Sequence, residues 1–161
     1  DSHREKIEVG VFGMDKVTLE QDGEYQSAVV ENIEQGFHYY DFTVDGTITA
    51  NRLGAVGYGC FRPINYFEMP EKKYGDYYLK PVPHGSVRLL KYYSKLMKRY
   101  RCCYVYLPHS YAFEPEKRYP VLYLQHGGGE NESAGCGRAR QTRYLGISHC
   151  RKRAQEMIVV M

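Results

Sequence analysis

The residues with the clearest chemical potential are His126, Gly127, Gly128 and Gly129, which follow the apolar run at 120–125 (PVLYLQ). Glycines at the end of a strand let backbone N–H groups approach a substrate oxygen, because no side chain stands in the way. Such N–H groups stabilise the negative oxygen that develops during acyl transfer, so this loop is a candidate oxyanion loop. A glycine-rich strand-to-helix turn without any catalytic role would have the same sequence. Taken alone, the segment leaves both interpretations open.

A serine near the end of the chain is the other candidate for acyl transfer. Residues 146–150 (GISHC) place Ser148 in a setting similar to a G-x-S-x-G nucleophile elbow. That motif needs a strained turn after an apolar strand, and a histidine base. The segment lacks the second glycine and follows no apolar run, so we expect Ser148 to have no catalytic role. We expect His126 to be a structural residue of its loop, and His84 to order the junction between two domains.

The charge balance and the cysteine pattern argue against several kinds of partner. The net charge of +3 comes from 22 basic and 19 acidic residues, which is too balanced to indicate nucleic acid. Basic residues concentrate at 95–101 and 138–153, and each stretch fits either a phosphate-binding patch or a solvated turn or helix face. Five cysteines without a C-x-x-C pair argue against a zinc ribbon, so we predict no metal and no cofactor. No apolar run is long enough to span a membrane, so no membrane partner is predicted.

Tyrosine is frequent, with 17 copies, while tryptophan is absent. Tyrosine suits half-buried strand faces, and its ring also suits surfaces that bind sugars. Tyr39, Tyr40 and Tyr58 are therefore candidates for carbohydrate binding, although packing within a sheet is the simpler explanation.

The first half of the chain has the pattern of β-strands, and residues 6–12 (KIEVGVF) alternate polar and apolar residues with the period of two that is typical of strands. Asp22-Gly23 and Asp45-Gly46 are hairpin turn signals, and the glycine-rich residues 52–59 are predicted to form a loop. Short strands separated by turns, without a helical period, predict a β-sandwich. The predicted strands cover residues 6–12, 16–19, 25–30, 37–44, 47–50 and 65–69.

The second half changes character after a proline-rich linker at 70–83. Continuous apolar runs at 120–125 and 157–161 suit strands that are buried on both faces. Residues 137–154 are predicted to be helical in part, which would make a parallel strand–helix–strand unit with these two strands. Two further strands are predicted at 86–93 and 101–107.

The second half also contains a series of recognisable motifs. They are 82–85 (VPHG), 92–94 (YYS), 101–111 (R-x-x-Y-V-Y-x-P-x-x-Y), 117–127 (KRYPVLYLQHG) and 157–161 (MIVVM). In these motifs the sequence resembles the carbohydrate esterases of family 1, which include feruloyl and acetyl-xylan esterases, and the resemblance weakens between Ser133 and Gln155. The resemblance implies the first part of an α/β-hydrolase domain over 81–161, with His126 to Gly129 as its oxyanion loop.

The first half contains the motifs 36–40 (GFHYY) and 44–46 (VDG). In such motifs residues 1–80 resemble the immunoglobulin-like module that precedes these catalytic domains in bacteria. The resemblance implies a secreted or periplasmic enzyme whose substrates are xylan-linked esters of plant cell walls. The family's serine elbow, acid and histidine follow a later strand, so we interpret this sequence as a C-terminally truncated esterase that is inactive alone.

Two alternatives to a fragment of an esterase remain open. The sandwich could be a non-catalytic carbohydrate-binding or accessory module. The chain could also lack catalytic function altogether, and then uncovered strands at 121–124 and 158–160 would favour a homo-oligomer.

Overall fold

The computed structural model describes residues 5–70, 80–134, 148 and 154–161. The chain divides into two compact units, with the division between Lys72 and Lys73. The described residues are rich in β-strand, with one short 3-10 turn. The predicted domain boundary between 80 and 81 stays a prediction, because most of the predicted linker lies outside the described residues.

The first unit contains an antiparallel sheet in the order β2-β1-β5-β8-β7, in which β6 also pairs with β5. β3 and β4 form a separate two-stranded antiparallel ribbon. The strands of the first unit are β1 (Ile7–Val11), β2 (Val17–Thr18), β3 (Glu20–Asp22), β4 (Tyr25–Ser27), β5 (Gly36–Val44), β6 (Thr47–Thr49), β7 (Val56–Gly59) and β8 (Arg62–Met69).

Each predicted strand of the first half is present, with shifted ends. Asp45 and Gly46 both have positive φ, at 45° and 83°, which is the geometry that Asp-Gly hairpin turns adopt. The third predicted strand ends earlier than expected, at Ser27, and the last begins earlier, at Arg62.

The loop predicted at 52–59 is wrong in its second half, where β7 forms a hairpin with β8. Cys60 and Phe61 make the connecting turn with φ of 53° and 62°, a conformation that usually selects Asn and Gly. The glycines of β7 do not break the strand, because they make room for tyrosines. A Cβ on Gly59 would lie 2.3 Å from the ring of Tyr39.

A buried amide fixes the turn that precedes β7. Asn65 is 0% exposed, and its Oδ1 accepts a hydrogen bond from the Asn51 N–H at 2.6 Å. Its Nδ2 donates to the carbonyls of Asn51 at 2.8 Å and Ala55 at 3.1 Å. The Asn65 side chain therefore holds residues 51–55 against β8.

The second unit contains a sheet in the order β11-β12-β10-β9. β11 and β12 are parallel, as predicted, and the other pairs are antiparallel. A 3-10 turn at His109–Ala112 follows β10 directly. The strands are β9 (Ser86–Ser94), β10 (Arg99–Leu107), β11 (Val121–Tyr123) and β12 (Ile158–Val160).

The prediction that residues 120–125 are buried on both faces is wrong for this structure. Val121, Leu122 and Tyr123 are all exposed, the last at 78%. Among the described residues β11 pairs with β12 alone and lies at the edge of the sheet, so its side chains have few neighbours there. Val159 in β12, one strand inward, is 1% exposed. Most of the helix predicted at 137–154 lies outside the described residues.

Candidate functional site

The predicted oxyanion loop lies directly after the edge strand β11. Leu124 continues the pairing, because its N–H donates to the Val160 carbonyl at 2.8 Å. His126 is exposed, and its Nδ1 lies 2.8 Å from the carbonyl oxygen of Gly127. The imidazole therefore contacts its own loop, and a structural role for His126 stays a prediction.

The backbone of this loop already binds an anionic oxygen. The N–H of Gly127 donates to Glu130 Oε2 at 3.1 Å, and the N–H of Glu130 donates to the Gly127 carbonyl at 3.3 Å. Gly129 is buried with φ of 77°, where residues with a side chain are strained. A Cβ on Gly128 would meet no atom within 4 Å, so this stretch of backbone is open to solvent.

Glu132, which follows the glycine loop, is hydrogen-bonded to a thiol of β10. Cys102 Sγ donates to Glu132 Oε1 at 2.9 Å. This hydrogen bond raises the pKa of the Cys102 thiol and lowers the pKa of the Glu132 carboxyl, since it joins the protonated thiol to the charged carboxylate. Cys102 is thereby held as a thiol and is a poor nucleophile.

A buried carboxylate lies just before β12, in a cluster that the sequence did not reveal. Glu156 is 7% exposed and accepts hydrogen bonds from Ser110 Oγ and, at 2.7 Å, from Lys117 Nζ. The Tyr119 hydroxyl lies 2.7 Å from Ser110 Oγ. The pKa of Lys117 is raised, chiefly by the hydrogen bond to Glu156 and then by that to Glu114. No spacing in the sequence links these residues, so only the fold could bring them together.

Two serines of this unit, Ser110 and Ser148, differ in their surroundings, and neither has a histidine partner among the described residues. Ser148 is 1% exposed, and its Oγ has no hydrogen-bond partner within the described parts of the chain. Ser110 is bonded to Glu156, Tyr119 and Lys117. The adjacent His149 lies outside the described residues.

The three candidate sugar-binding tyrosines do not share one surface. Tyr39 is buried at 8% exposure, and its hydroxyl donates to the Tyr58 carbonyl at 3.3 Å. Tyr40 follows it in β5 and therefore points to the opposite face of the sheet. On that opposite face, Tyr40 lines an open apolar pocket of about 510 Å³ together with Phe42 and Phe67. Carbohydrate binding by these residues stays a prediction.

His84 and the cysteines do not form a shared site within the described part of the chain. His84 Nε2 lies 2.8 Å from the Lys80 carbonyl, so the ring orders its own segment at the start of the second unit. Cys60, Cys102 and Cys103 are free thiols. Among the described residues no group of three or more His, Cys, Asp or Glu side chains could hold a metal ion. No helix in the described part of the chain has the length and apolarity to cross a membrane.

Comparison with known proteins gives relatives that carry esterase and xylanase names. No protein-family profile matches the chain. A Xylanibacter ruminicola protein named endo-1,4-β-xylanase/feruloyl esterase is 34% identical over 135 residues, which make up 80% of this chain and 18% of that protein. Endo-1,4-β-xylanase Y of Acetivibrio thermocellus is 41% identical over 58 residues, which are 36% of this chain and 5% of that protein.

Solved structures with similar names also match parts of the chain. A ferulic acid esterase is 32% identical, with a TM-score of 0.47, and the match covers 49% of this chain and 30% of that one. A CE1 ferulic acid esterase from the anaerobic fungus Anaeromyces mucronatus is 27% identical, with a TM-score of 0.48, covering 56% of this chain and 33% of that one. By sequence, the chain is therefore similar to part of a protein named endo-1,4-β-xylanase/feruloyl esterase, and it spans a minor part of the length of that relative.

Proposed function

We propose that this chain is part of a serine carboxylesterase that acts on ester-linked groups of plant cell-wall polysaccharide, of the feruloyl or acetyl-xylan type. The observation that carries the proposal is the 34% identity over 135 residues with a protein named for xylanase and feruloyl esterase activities. Residues 81–161 would form the first part of an α/β-hydrolase sheet, and residues 1–80 an immunoglobulin-like accessory module. The parallel pair β11–β12, with a glycine loop directly after β11, supports this arrangement.

The role of the loop in this enzyme is to supply an oxyanion donor. The N–H of Gly127 already donates to a carboxylate oxygen at 3.1 Å, which is a ligand of the same charge as the oxygen of a tetrahedral intermediate. One N–H cannot serve both oxygens well, so the Glu130 side chain would move away when an ester binds. The open backbone at Gly128 leaves room for that exchange.

The chain alone would not turn over an ester. Its sequence contains no G-x-S-x-G, and Ser148 Oγ has no base beside it within the described residues. Ser110 donates to a carboxylate inside a cluster with Lys117, whose raised pKa keeps it charged and unable to act as a base. The nucleophile, its acid and its histidine would come from other parts of the complete enzyme.

A direct assay of the chain tests this division of roles. Purified chain is incubated with methyl ferulate or a p-nitrophenyl ester, with Ser148→Ala as the matched variant. We expect no turnover above buffer for either protein. Turnover that disappears in Ser148→Ala would show that Ser148 is a nucleophile and would overturn our interpretation of it.

The oxyanion role is tested in the complete gene product. Gly127→Pro removes the N–H, while Gly128→Ala adds a methyl group where the structure has open space. We expect Gly127→Pro to lower kcat on methyl ferulate about 10²–10³-fold, and Gly128→Ala to change it little. Equal kcat values for the two variants would contradict a donor role for Gly127.

A polymeric substrate also sets the place of action. Cell-wall xylan does not enter a bacterial cell intact, so the enzyme would be secreted or periplasmic. Fractionation of the producing cells, with detection of the complete protein, tests this proposal, and a wholly cytoplasmic signal would refute it.

A further inference from the structure

The hairpin of β9 and β10 carries a concentration of positive charge that the proposed esterase chemistry does not use. Residues 86–107 contain basic side chains and no Asp or Glu. The net charge of the whole chain is only +3, so the rest of the chain is net negative. The basic residues are Arg88, Lys91, Lys95, Lys98, Arg99 and Arg101.

The register of the hairpin collects the arginines on one face. Residues directly opposite each other on antiparallel strands share a face, and Tyr92 lies opposite Arg101 while Ser94 lies opposite Arg99. Arg88 is on the same face as Tyr92, because their positions along the strand differ by four and alternate residues share a face. We call the exposed part of this surface the arginine face, and it includes Arg88, Leu90, Tyr92, Arg99 and Arg101.

The side chains of the arginine face are open to solvent. Its three arginines are exposed, Tyr92 is 46% exposed and Leu90 is 52% exposed. Within the described residues none of the three guanidinium groups forms an ion pair. The Cα atoms of Arg99 and Arg101 lie about 7 Å apart along the strand. Like charges this close repel each other unless an anionic partner lies between them.

We infer that the arginine face binds a carboxylate-bearing polysaccharide, such as a xylan substituted with uronic acid. A planar guanidinium pairs with a carboxylate through two parallel hydrogen bonds, which a neutral sugar cannot reproduce. The ring of Tyr92, which lies directly opposite Arg101, offers a flat apolar surface on which a sugar ring can lie. The choice of xylan as the backbone rests on the proposed function, whereas recognition of the carboxylate rests on the hairpin alone.

The modest total charge favours a glycan over other polyanions. A nucleic-acid interface collects many phosphate contacts on a strongly basic protein, and this chain has three arginines on one face and a nearly balanced total. DNA and an anionic membrane are therefore comparison ligands in the test.

The test compares two oligosaccharides that differ only in charge. A xylo-oligosaccharide bearing glucuronic acid is titrated into the chain at low ionic strength, and its carboxyl-reduced form is titrated in parallel. Binding is followed by calorimetry and by amide chemical shifts. We expect the reduced form to bind at least tenfold more weakly, and binding of the charged form to weaken as salt is added.

Matched variants locate the binding on the hairpin. Arg99→Gln with Arg101→Gln removes two charges from the arginine face, while Arg52→Gln with Arg118→Gln removes two exposed charges elsewhere. We expect about tenfold weaker binding for the first pair and less than a twofold change for the second. Circular dichroism of each variant verifies its fold, and the oligosaccharide comparison needs no variant.

Three outcomes would overturn the inference. These are equal affinity for the charged and reduced oligosaccharides, equal losses in the two double variants, or tighter binding to a short DNA duplex or to vesicles with anionic lipid. None of them involves ester cleavage, so failure of this inference and failure of the proposed esterase function are separate results.

Discussion

Replacement of Asn65 tests how much one buried amide contributes to the first unit. Asn65 is fully buried in β8 and makes three hydrogen bonds to the backbone of residues 51–55. In Asn65→Ala the carbonyl of Asn51 keeps the N–H of Gly54 as a donor, and the carbonyl of Ala55 keeps that of Tyr66. Only the N–H of Asn51 loses its protein partner entirely.

The expected cost follows from this count. An unpaired buried donor costs about 1–3 kcal/mol, and each lost hydrogen bond whose acceptor keeps another donor contributes about 0.5–1.5 kcal/mol. Since water entering the vacated space recovers part of the loss, we expect Asn65→Ala to destabilise the unit by about 2–4 kcal/mol. Gln35→Ala removes an exposed amide of the same unit and is expected to change stability by less than about 0.5 kcal/mol.

Asn65→Asp adds a signature in pH that a simple cavity would lack. The introduced carboxyl keeps an acceptor for the Asn51 N–H but faces two carbonyl oxygens, so burial raises its folded-state pKa above the ordinary value of about 3.9. A raised pKa favours the protonated form in the folded state. Relative to Asn65→Ala, this variant is therefore most stable below about pH 4 and loses stability as the pH rises to 7.

Urea unfolding followed by far-ultraviolet circular dichroism gives the free energies, and exchange of the Asn51 amide proton locates the change. The reasoning is refuted if Asn65→Ala costs no more than Gln35→Ala. It is also refuted if the difference between the Ala and Asp variants is the same at pH 4 and pH 7.

Two further predictions concern the turn before β8 and the cluster before β12. Phe61 is 81% exposed with φ of 62°, so Phe61→Gly relieves backbone strain without loss of packing and should stabilise the first unit by about 1 kcal/mol; a lowered urea midpoint would contradict this. The raised pKa of Lys117 means that its contribution to stability is complete below its unfolded pKa of about 10.4 and is lost as the pH rises further. Between pH 9 and 11 the free energy of unfolding should therefore fall more steeply in the wild-type chain than in Glu156→Gln, and parallel curves would count against the cluster.

The strands of the first unit could be predicted because the sequence marks them locally. Residues 36–44 are rich in aromatic and β-branched side chains, which favour a strand, and Asp45-Gly46 supplies the positive φ angles that its turn needs. The hairpin of β7 and β8 carries no such mark. Cys60 and Phe61 adopt the same type of turn without glycine, and the glycines of β7 suggest a loop although they accommodate tyrosine rings. Tertiary packing therefore decided this part of the fold.

In the candidate site too, features with a local sequence signal could be predicted, and features that depend on tertiary contacts could not. The glycine loop was recognisable from residues 126–129, because both the apolar run and the glycines are adjacent in sequence. Its ligand was not recognisable, since nothing in the spacing shows that Glu130 turns back onto Gly127. The Glu156 cluster joins residues that are far apart in sequence, and such contacts depend on the register of β12 against β10 and β11.

The position of the glycine loop at 126–129 depends on backbone pairing more than on burial. The side chains of β11 are exposed, so hydrophobic contacts hold this strand weakly. Its hydrogen bonds to β12 extend from Pro120, which accepts from the Ile158 N–H, to Leu124, which donates to Val160. Glu156 fixes the start of β12 to Ser110 and Lys117, at the far end of β11 from the loop. Glu156 therefore supports, through β12, the strand that leads into the loop, although no atom of Glu156 belongs to the loop.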